Sequence, residues 1–179
     1  MRCFVAVNLP REVKEKIWRV TKNLQGKGLK KVAPENLHLT LKFLGEVDQE
    51  IVKKVKEKLK QVEFNKFSIS LKGISYFPNQ NFIKVVWLGI EKGRKNLIGL
   101  QKEIDKKLEE LSFKKEKNKF EPHLTIARVK FLENKRKFVE ELEKIKFEKE
   151  FEIKSFELME SILQREGPIY KKIESFELR

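Results

Sequence analysis

The 179-residue chain contains two histidines, His38 and His123, and each is followed two positions later by one of only three threonines, in His38-Leu39-Thr40-Leu41 and His123-Leu124-Thr125-Ile126. Residues this scarce sharing one offset point to two copies of a single arrangement. An imidazole ionises near pH 6.5, so of two rings one can stay neutral as a base while the other stays protonated as an acid. In-line displacement at a phosphodiester needs both, at opposite ends of the reacting line. A threonine hydroxyl beside each ring can donate to a non-bridging phosphate oxygen, so two pairs would hold a phosphoryl group from both sides. A lone histidine on a strand is most often a satisfied structural residue, and it is the repetition that argues for chemistry. Two histidines are also the start of a metal site. No cysteine cluster or His-x-x-x-His spacing supplies the rest, so a carboxylate such as Glu46 or Glu121 would have to complete it.

The elements around these pairs must bring them to one cleft. In a strand the period of two puts each histidine and its threonine on one face, with Leu39, Leu41, Leu124 and Ile126 turned to the core. The pattern predicts a strand over Arg2 to Asn8, then a helix opened by Pro10 with Val13, Ile17, Val20 and Leu24 on one side. A strand around Leu37 to Leu44 follows, then an Asp48-capped helix and an alternating strand from Phe67. After a turn at 78–81 the order begins again: an apolar strand Phe82 to Ile90, a helix through Leu97, Leu100, Ile104 and Leu108, a strand His123 to Val129, a helix with Phe138 and Leu142, and a strand with Phe151 and Ile153. His38 precedes Phe67 by 29 residues and His123 precedes Phe151 by 28, so the halves read as one unit duplicated. A last hairpin, Phe156 to Leu163 and Ile169 to Leu178, turns at Gly167-Pro168. Residues 1–179 are thus expected to form a single domain of two pseudo-twofold-related lobes, with a boundary near 78–81.

The formal charge is +14, from 41 Lys and Arg against 27 Asp and Glu, which excludes an acidic solvating protein and suits a polyanionic partner. The cations are mostly lysine and the anions almost all glutamate, a bias typical of heat-adapted proteins, so part of this charge is solvated surface. Forty per cent apolar residues with only 8 Gly and 5 Pro exclude a disordered or low-complexity chain. The single Cys3 lies in an apolar run and reads as a small buried hydrophobe, not a nucleophile. The apolar run Cys3 to Leu9 is too short for a signal peptide and no stretch reaches membrane-spanning length, so the expectation is a cytoplasmic protein with no membrane partner.

His-Leu-Thr-Leu at 38–41 and Pro-His-Leu-Thr-Ile-Ala-Arg-Val at 122–129 resemble the paired His-x-Thr-x motifs of the two-histidine phosphoesterase superfamily, and within it the RNA 2',3'-cyclic phosphodiesterases, historically called 2'-5' RNA ligases. The resemblance extends along the chain through Met1 to Pro10, Tyr76-Phe77-Pro78, Val85 to Gly89, Ser161-Ile162-Leu163 and Gly167 to Tyr170. It implies a bilobal α+β fold with antiparallel sheets flanked by helices and a basic active-site cleft between the sheets. It also implies hydrolysis of an RNA terminal 2',3'-cyclic phosphate to a 2'-phosphate, with neither metal nor other cofactor. His38 would be the proton donor to the leaving 3'-oxygen and His123 the proton acceptor that activates water. Thr40, Thr125 and Arg128 would bind the phosphate, in a chain acting as a monomer.

Alternatives are 2'-5' RNA ligation, in which a 5'-hydroxyl must outcompete solvent water, and a non-catalytic basic RNA-binding module. Arg128 has the opposite strand parity to His123 and Thr125, so a bulge or the strand's end must re-aim it. Lys42 shares the parity of His38 and Thr40. Lys114, Lys115, Lys117 and Lys119 form a solvated loop that would guide an RNA backbone only secondarily, and Trp87, mid-strand, reads as core while Tyr76 and Phe77 are candidates for stacking.

Overall fold

Every strand pairing in the computed structural model is antiparallel, and the strands form two sheets, one of four strands and one of five. The structure describes residues 1–115 and 118–179, so Lys117 of the lysine loop lies outside the described residues. The elements run β1 (Arg2–Asn8), α1 (Arg11–Thr21), β2 (Leu29–Lys31), a 3-10 turn (Pro34–Asn36), β3 (His38–Glu46), α2 (Gln49–Leu59) and β4 (Phe67–Asn79). They continue with β5 (Phe82–Ile90), α3 (Arg94–Glu109), β6 (Leu124–Val129), α4 (Lys135–Lys144), β7 (Glu148–Ile153), β8 (Ser155–Gln164) and β9 (Gly167–Glu177). The sheets are ordered β3-β1-β8-β9 and β2-β6-β5-β4-β7, the expected α+β fold. No helix is long and apolar enough to cross a membrane among the described residues.

Helical periodicity decides what each helix buries. Val13 and Ile17 of α1, Val52, Val55 and Leu59 of α2, and Leu97, Leu100, Ile104 and Leu108 of α3 all turn inward, into one core shared with both sheets. Asp48 caps α2 as its position predicts, its Oδ1 accepting the Ile51 N–H at 2.8 Å. Beyond the sequence reading, β2 adds an edge strand, pairing Lys30 with Arg128.

Chain order and sheet membership differ. The 78–81 turn lies inside the β4–β5 hairpin, and a short hairpin forces its strands into one sheet, so β4 stands with β5 and β6. The β8–β9 pair crosses back to lie beside β1.

One contact ties the first motif strand to the helical layer. Lys42, only 2% exposed, reaches from β3 to α3 and the segment after it, where Nζ donates to Asp105 Oδ1 at 2.5 Å and to the Lys114 carbonyl at 3.0 Å. Gln101 donates to the other carboxylate oxygen at 2.7 Å. Lys42→Met strands a buried carboxylate and is expected to cost about 3–5 kcal/mol in urea unfolding. Lys42→Met with Asp105→Leu, which leaves no buried charge, is expected to unfold well above the single variant. Equal losses would show that the charge is not what matters.

Candidate active site

The two histidines are delivered by different local structures to the same geometry. Before His38 the chain makes the Pro34–Asn36 turn, and His38 Nδ1 lies 2.6 Å from the carbonyl of Asn36. Before His123 stands Pro122, and His123 Nδ1 lies 2.7 Å from the carbonyl of Glu121. A carbonyl only accepts, so in both rings Nδ1 carries the hydrogen and Nε2 is left to face the cleft, as acceptor when neutral and donor when protonated. Asn36 is itself anchored, its side-chain amide donating to the Pro168 carbonyl at 2.9 Å.

Each motif strand then breaks its own alternation. In β3, Val5 pairs with Lys42 and Ala6 with Thr40, which leaves Leu41 without a partner on β1. In β6, Val86 pairs with Ala127 and Trp87 with Thr125, which leaves Ile126 without a partner on β5. These bulges fall at the same motif position and reverse the facing of the residues just after them, β3 shifting register once more at Leu44. Leu41 and Lys42 are both buried, as are Ile126 and Ala127, and the next residues, Phe43 and Arg128, come out on the cleft side. Arg128 is thereby re-aimed as its parity required. Lys42 is not: the bulge turns it from the cleft into the core, toward Asp105.

The cleft between the sheets, about 340 Å³, brings together His38, Thr40, His123, Thr125 and Arg128. Phe43, Asn36 and Tyr170 also line it and were missed from the sequence. Phe43 stands three residues after Thr40, the offset of Arg128 from Thr125, and that repeat was the available signal. Trp87 is not core: it pairs with Thr125, is half-buried, and its ring lies 6.2 Å from that of His123. Cys3 fits the sequence reading, since burial pushes its thiol up to about 11. Glu121 and Glu46 are engaged elsewhere. Arg94 pairs with Glu121 and holds its carboxyl below the usual range, and Glu46 lies 3.7 Å from the N-terminal ammonium. Lys114, Lys115 and Lys119 are exposed, and Lys115 lies 3.4 Å from Glu109.

The two imidazoles sit in unlike surroundings. His38 is packed between Phe4 and Tyr170, whose ring centroids are each 4.9 Å away, whereas His123 is exposed. Burial pulls the His38 pKa down to about 4, with Lys14 and Arg128 pushing the same way against the Asn36 carbonyl.

The family model described as LigT like Phosphoesterase matches this chain twice, over residues 7–87 and 88–170. An RNA 2',3'-cyclic phosphodiesterase of Methanocaldococcus jannaschii is 45% identical, covering 98% of this chain and all of that one. One of Archaeoglobus fulgidus is 41% identical, covering 99% of this chain and all of the relative. Among solved structures, a protein of Thermus thermophilus superposes with a TM-score of 0.84 at 31% identity, covering 100% of this chain and 98% of that one. Escherichia coli LigT complexed with 3'-AMP superposes with a TM-score of 0.82 at 25% identity, covering 99% and 97%.

A depressed His38 pKa makes stability depend on pH with a definite sign. The folded chain resists the proton that the unfolded chain takes up near pH 6.5, so the contribution of neutral His38 is fully present above that value. It is lost as pH falls from about 6.5 to about 4. Ligand-free protein is expected to lose on the order of 3 kcal/mol across this window from this group. Denaturation curves of His38→Asn should lack that part of the slope; an unchanged slope would contradict the assignment.

Proposed function

The chain belongs to the LigT-like phosphoesterase family, and from that premise we propose that it hydrolyses the 2',3'-cyclic phosphate at an RNA end to a 2'-phosphate, with His38 and His123 as its acid–base pair and no metal. One observation carries the reading: two imidazoles, one at the start of β3 and one just before β6 and both with Nδ1 tied to a backbone carbonyl, meet in a cleft that also holds two threonines and a guanidinium. Full-length similarity to proteins named RNA 2',3'-cyclic phosphodiesterase supports the substrate class.

The non-bridging oxygens of the cyclic diester take hydrogen bonds from Thr40 and Thr125 and a charge-assisted contact from Arg128. His123 Nε2 removes a proton from water as the water oxygen bonds to phosphorus. The bond from phosphorus to the 3'-oxygen breaks, and protonated His38 gives its Nε2 proton to that oxygen. The product is a 2'-phosphomonoester, and both rings recover by exchange with solvent. Phe43, 62% exposed at the position matching Arg128, offers a stacking face for the terminal base. All of these groups come from one chain, so a monomer suffices.

With its pKa near 4, ligand-free His38 is neutral at pH 7, and as donor it must gain its proton with the substrate, whose negative charge offsets Arg128. The same low value favours a second reading in which the roles exchange, with neutral His38 as base and His123 as acid. We also read the two lobes as one duplicated unit. The double family match, the common spatial orders β3-β1-β8 and β6-β5-β4, and the shared bulge position support this.

Given an oligoribonucleotide ending in a 2',3'-cyclic phosphate, the protein is expected to yield a 2'-phosphate end, and His38→Ala and His123→Ala each to slow turnover by roughly 10² to 10⁴-fold. A substrate with sulfur as the 3' leaving atom departs as a thiolate without needing the acid. It should rescue His38→Ala and not His123→Ala; the reverse pattern would establish the exchanged roles, and equal rescue would leave neither ring as a dedicated acid.

Arg128→Ala is expected to lower kcat/KM by roughly ten- to a hundredfold, the worth of a charged hydrogen bond to phosphate. Phe43→Ala should instead raise KM about tenfold with little change in kcat, since stacking binds substrate and transition state alike. Unchanged kinetics in either variant would remove that residue from the site.

A further inference from the structure

Strand register carries the cleft's surface outward along the five-stranded sheet. On sheet β2-β6-β5-β4-β7, directly paired residues share a face, so the row through Arg128 continues to Val85 on β5 and then to Phe77 on β4. The neighbouring row runs from Thr125 through Trp87 to Ser75. Phe77 therefore stands two strand spacings from Arg128, roughly 10 Å along the same face. It is 62% exposed, and at the hairpin tip beyond it Phe82 is 57% exposed with the Lys84 ammonium 4.9 Å from its ring centroid. Two bare phenylalanines interleaved with Arg128 and Lys84 are the makings of a single-strand nucleic-acid surface, in which bases stack on aromatic faces and cations follow the backbone. On the other sheet Phe4, Ala6 and Met159 are buried with Tyr170 packed against them, and the exposed aromatic, Phe43, stands in the cleft itself.

We propose that the wet face of the β4–β5 hairpin, centred on Phe77 and extended by Phe82, binds the RNA nucleotides immediately upstream of the reacting end. The inference rests on the proposed phosphodiesterase function and deepens it. The cleft holds the terminal nucleotide, and the next one or two bases lie across β5 onto β4. The enzyme then prefers an RNA strand to a cyclic mononucleotide, without reading sequence, since every base has a face to stack. Continuity with the cleft through paired residues and the matching charge of Arg128 and Lys84 select this occupant over an apolar protein partner.

Binding separates this inference from catalysis. A 5'-fluorescein RNA hexamer ending in a 2'-phosphate is followed by anisotropy, and unlabelled hexamer and adenosine 2'-phosphate are each titrated as competitors. Wild-type protein is expected to hold the hexamer at least tenfold more tightly than the mononucleotide, and Phe77→Ala to reduce that ratio about tenfold, with Phe77→Trp retaining it. Phe77→Leu, which keeps an apolar side chain but no aromatic ring, should behave like the alanine variant. A hexamer bound no better than the mononucleotide by wild type would overturn the proposal. So would a ratio that Phe77→Ala leaves unchanged, or light scattering in which that variant changes association state rather than RNA affinity. Hydrolysis of a 2',3'-cyclic mononucleotide by wild type is scored separately, so failure of the functional reading would show there while the binding ratio still decides this one.

Discussion

The active cleft depends on two missing strand pairings. A strand of regular alternation carrying a histidine and a threonine at i and i+2 would present position i+4 next, Lys42 in one motif and Ala127 in the other. By leaving Leu41 and Ile126 without a ladder partner, the chain turns those positions inward and presents i+5, Phe43 and Arg128. Each bulge forces two consecutive residues into the core, and the two strands accommodate this differently. Ala127 is small enough to be fully buried, whereas Lys42 carries its charge across to Asp105. At the second bulge, the carbonyl of Ile126 accepts from the N–H of Val32, the residue just after the short edge strand β2, at 2.9 Å, which gives the bulged residue a backbone partner.

The symmetry of the framework ends at the imidazoles. Both are oriented by the carbonyl two residues upstream, yet the 3-10 turn seats His38 against Phe4 and Tyr170 while Pro122 leaves His123 in the open. Such a difference biases which ring carries a shared proton, since two rings in equal environments would hold it equally often. The apolar cluster of Phe4, Ala6 and Met159, buried on the face of its sheet away from the main core, gives His38 an environment His123 lacks.

The motifs, the helices and most strand boundaries were legible because they are local. Periodicity names which side of α2 or α3 is buried, and Asp48 announces its helix. Arg128 shows how far parity reasoning reaches: its wrong parity was readable as a demand for a bulge. Lys42 and Phe43 show where it stops, because nothing within β3 marks Leu41 as unpaired, and extrapolating the period of two across it puts Lys42 in the cleft and leaves Phe43 unnoticed. The copy of the motif at 123–128 held the missing information, for a bulge inferred there applies equally at 38–43. Sheet membership was out of reach for another reason. The return of β8 and β9 to β1 is a contact between distant segments, and local patterning does not specify distant partners.

A net charge of +14 would suggest that RNA is captured by charge alone, but the placement of the lysines argues otherwise. Several of them face glutamates across separate elements: Lys56 of α2 and Lys60 at its C-terminal cap both approach Glu174 of β9, Lys72 of β4 lies near Glu148 of β7, and Lys92 pairs with Glu150. Exposed pairs of this kind contribute little singly at ordinary temperature and more as networks when hot, because the cost of desolvating charge falls with temperature. They belong to the stability of the sheets. In the cleft the cations are the guanidinium groups of Arg2 and Arg128 instead, each a planar fork of donors that matches a phosphate, set beside the hydroxyls of Thr40 and Thr125 and two rings fixed by backbone. The lysine surface attracts any polyanion, and salt weakens that attraction. On the proposed reading, a cyclic phosphate end would be told from the rest of an RNA strand by the spacing of Thr40, Thr125 and Arg128 around the two rings, with Arg128 turned toward them by its bulge.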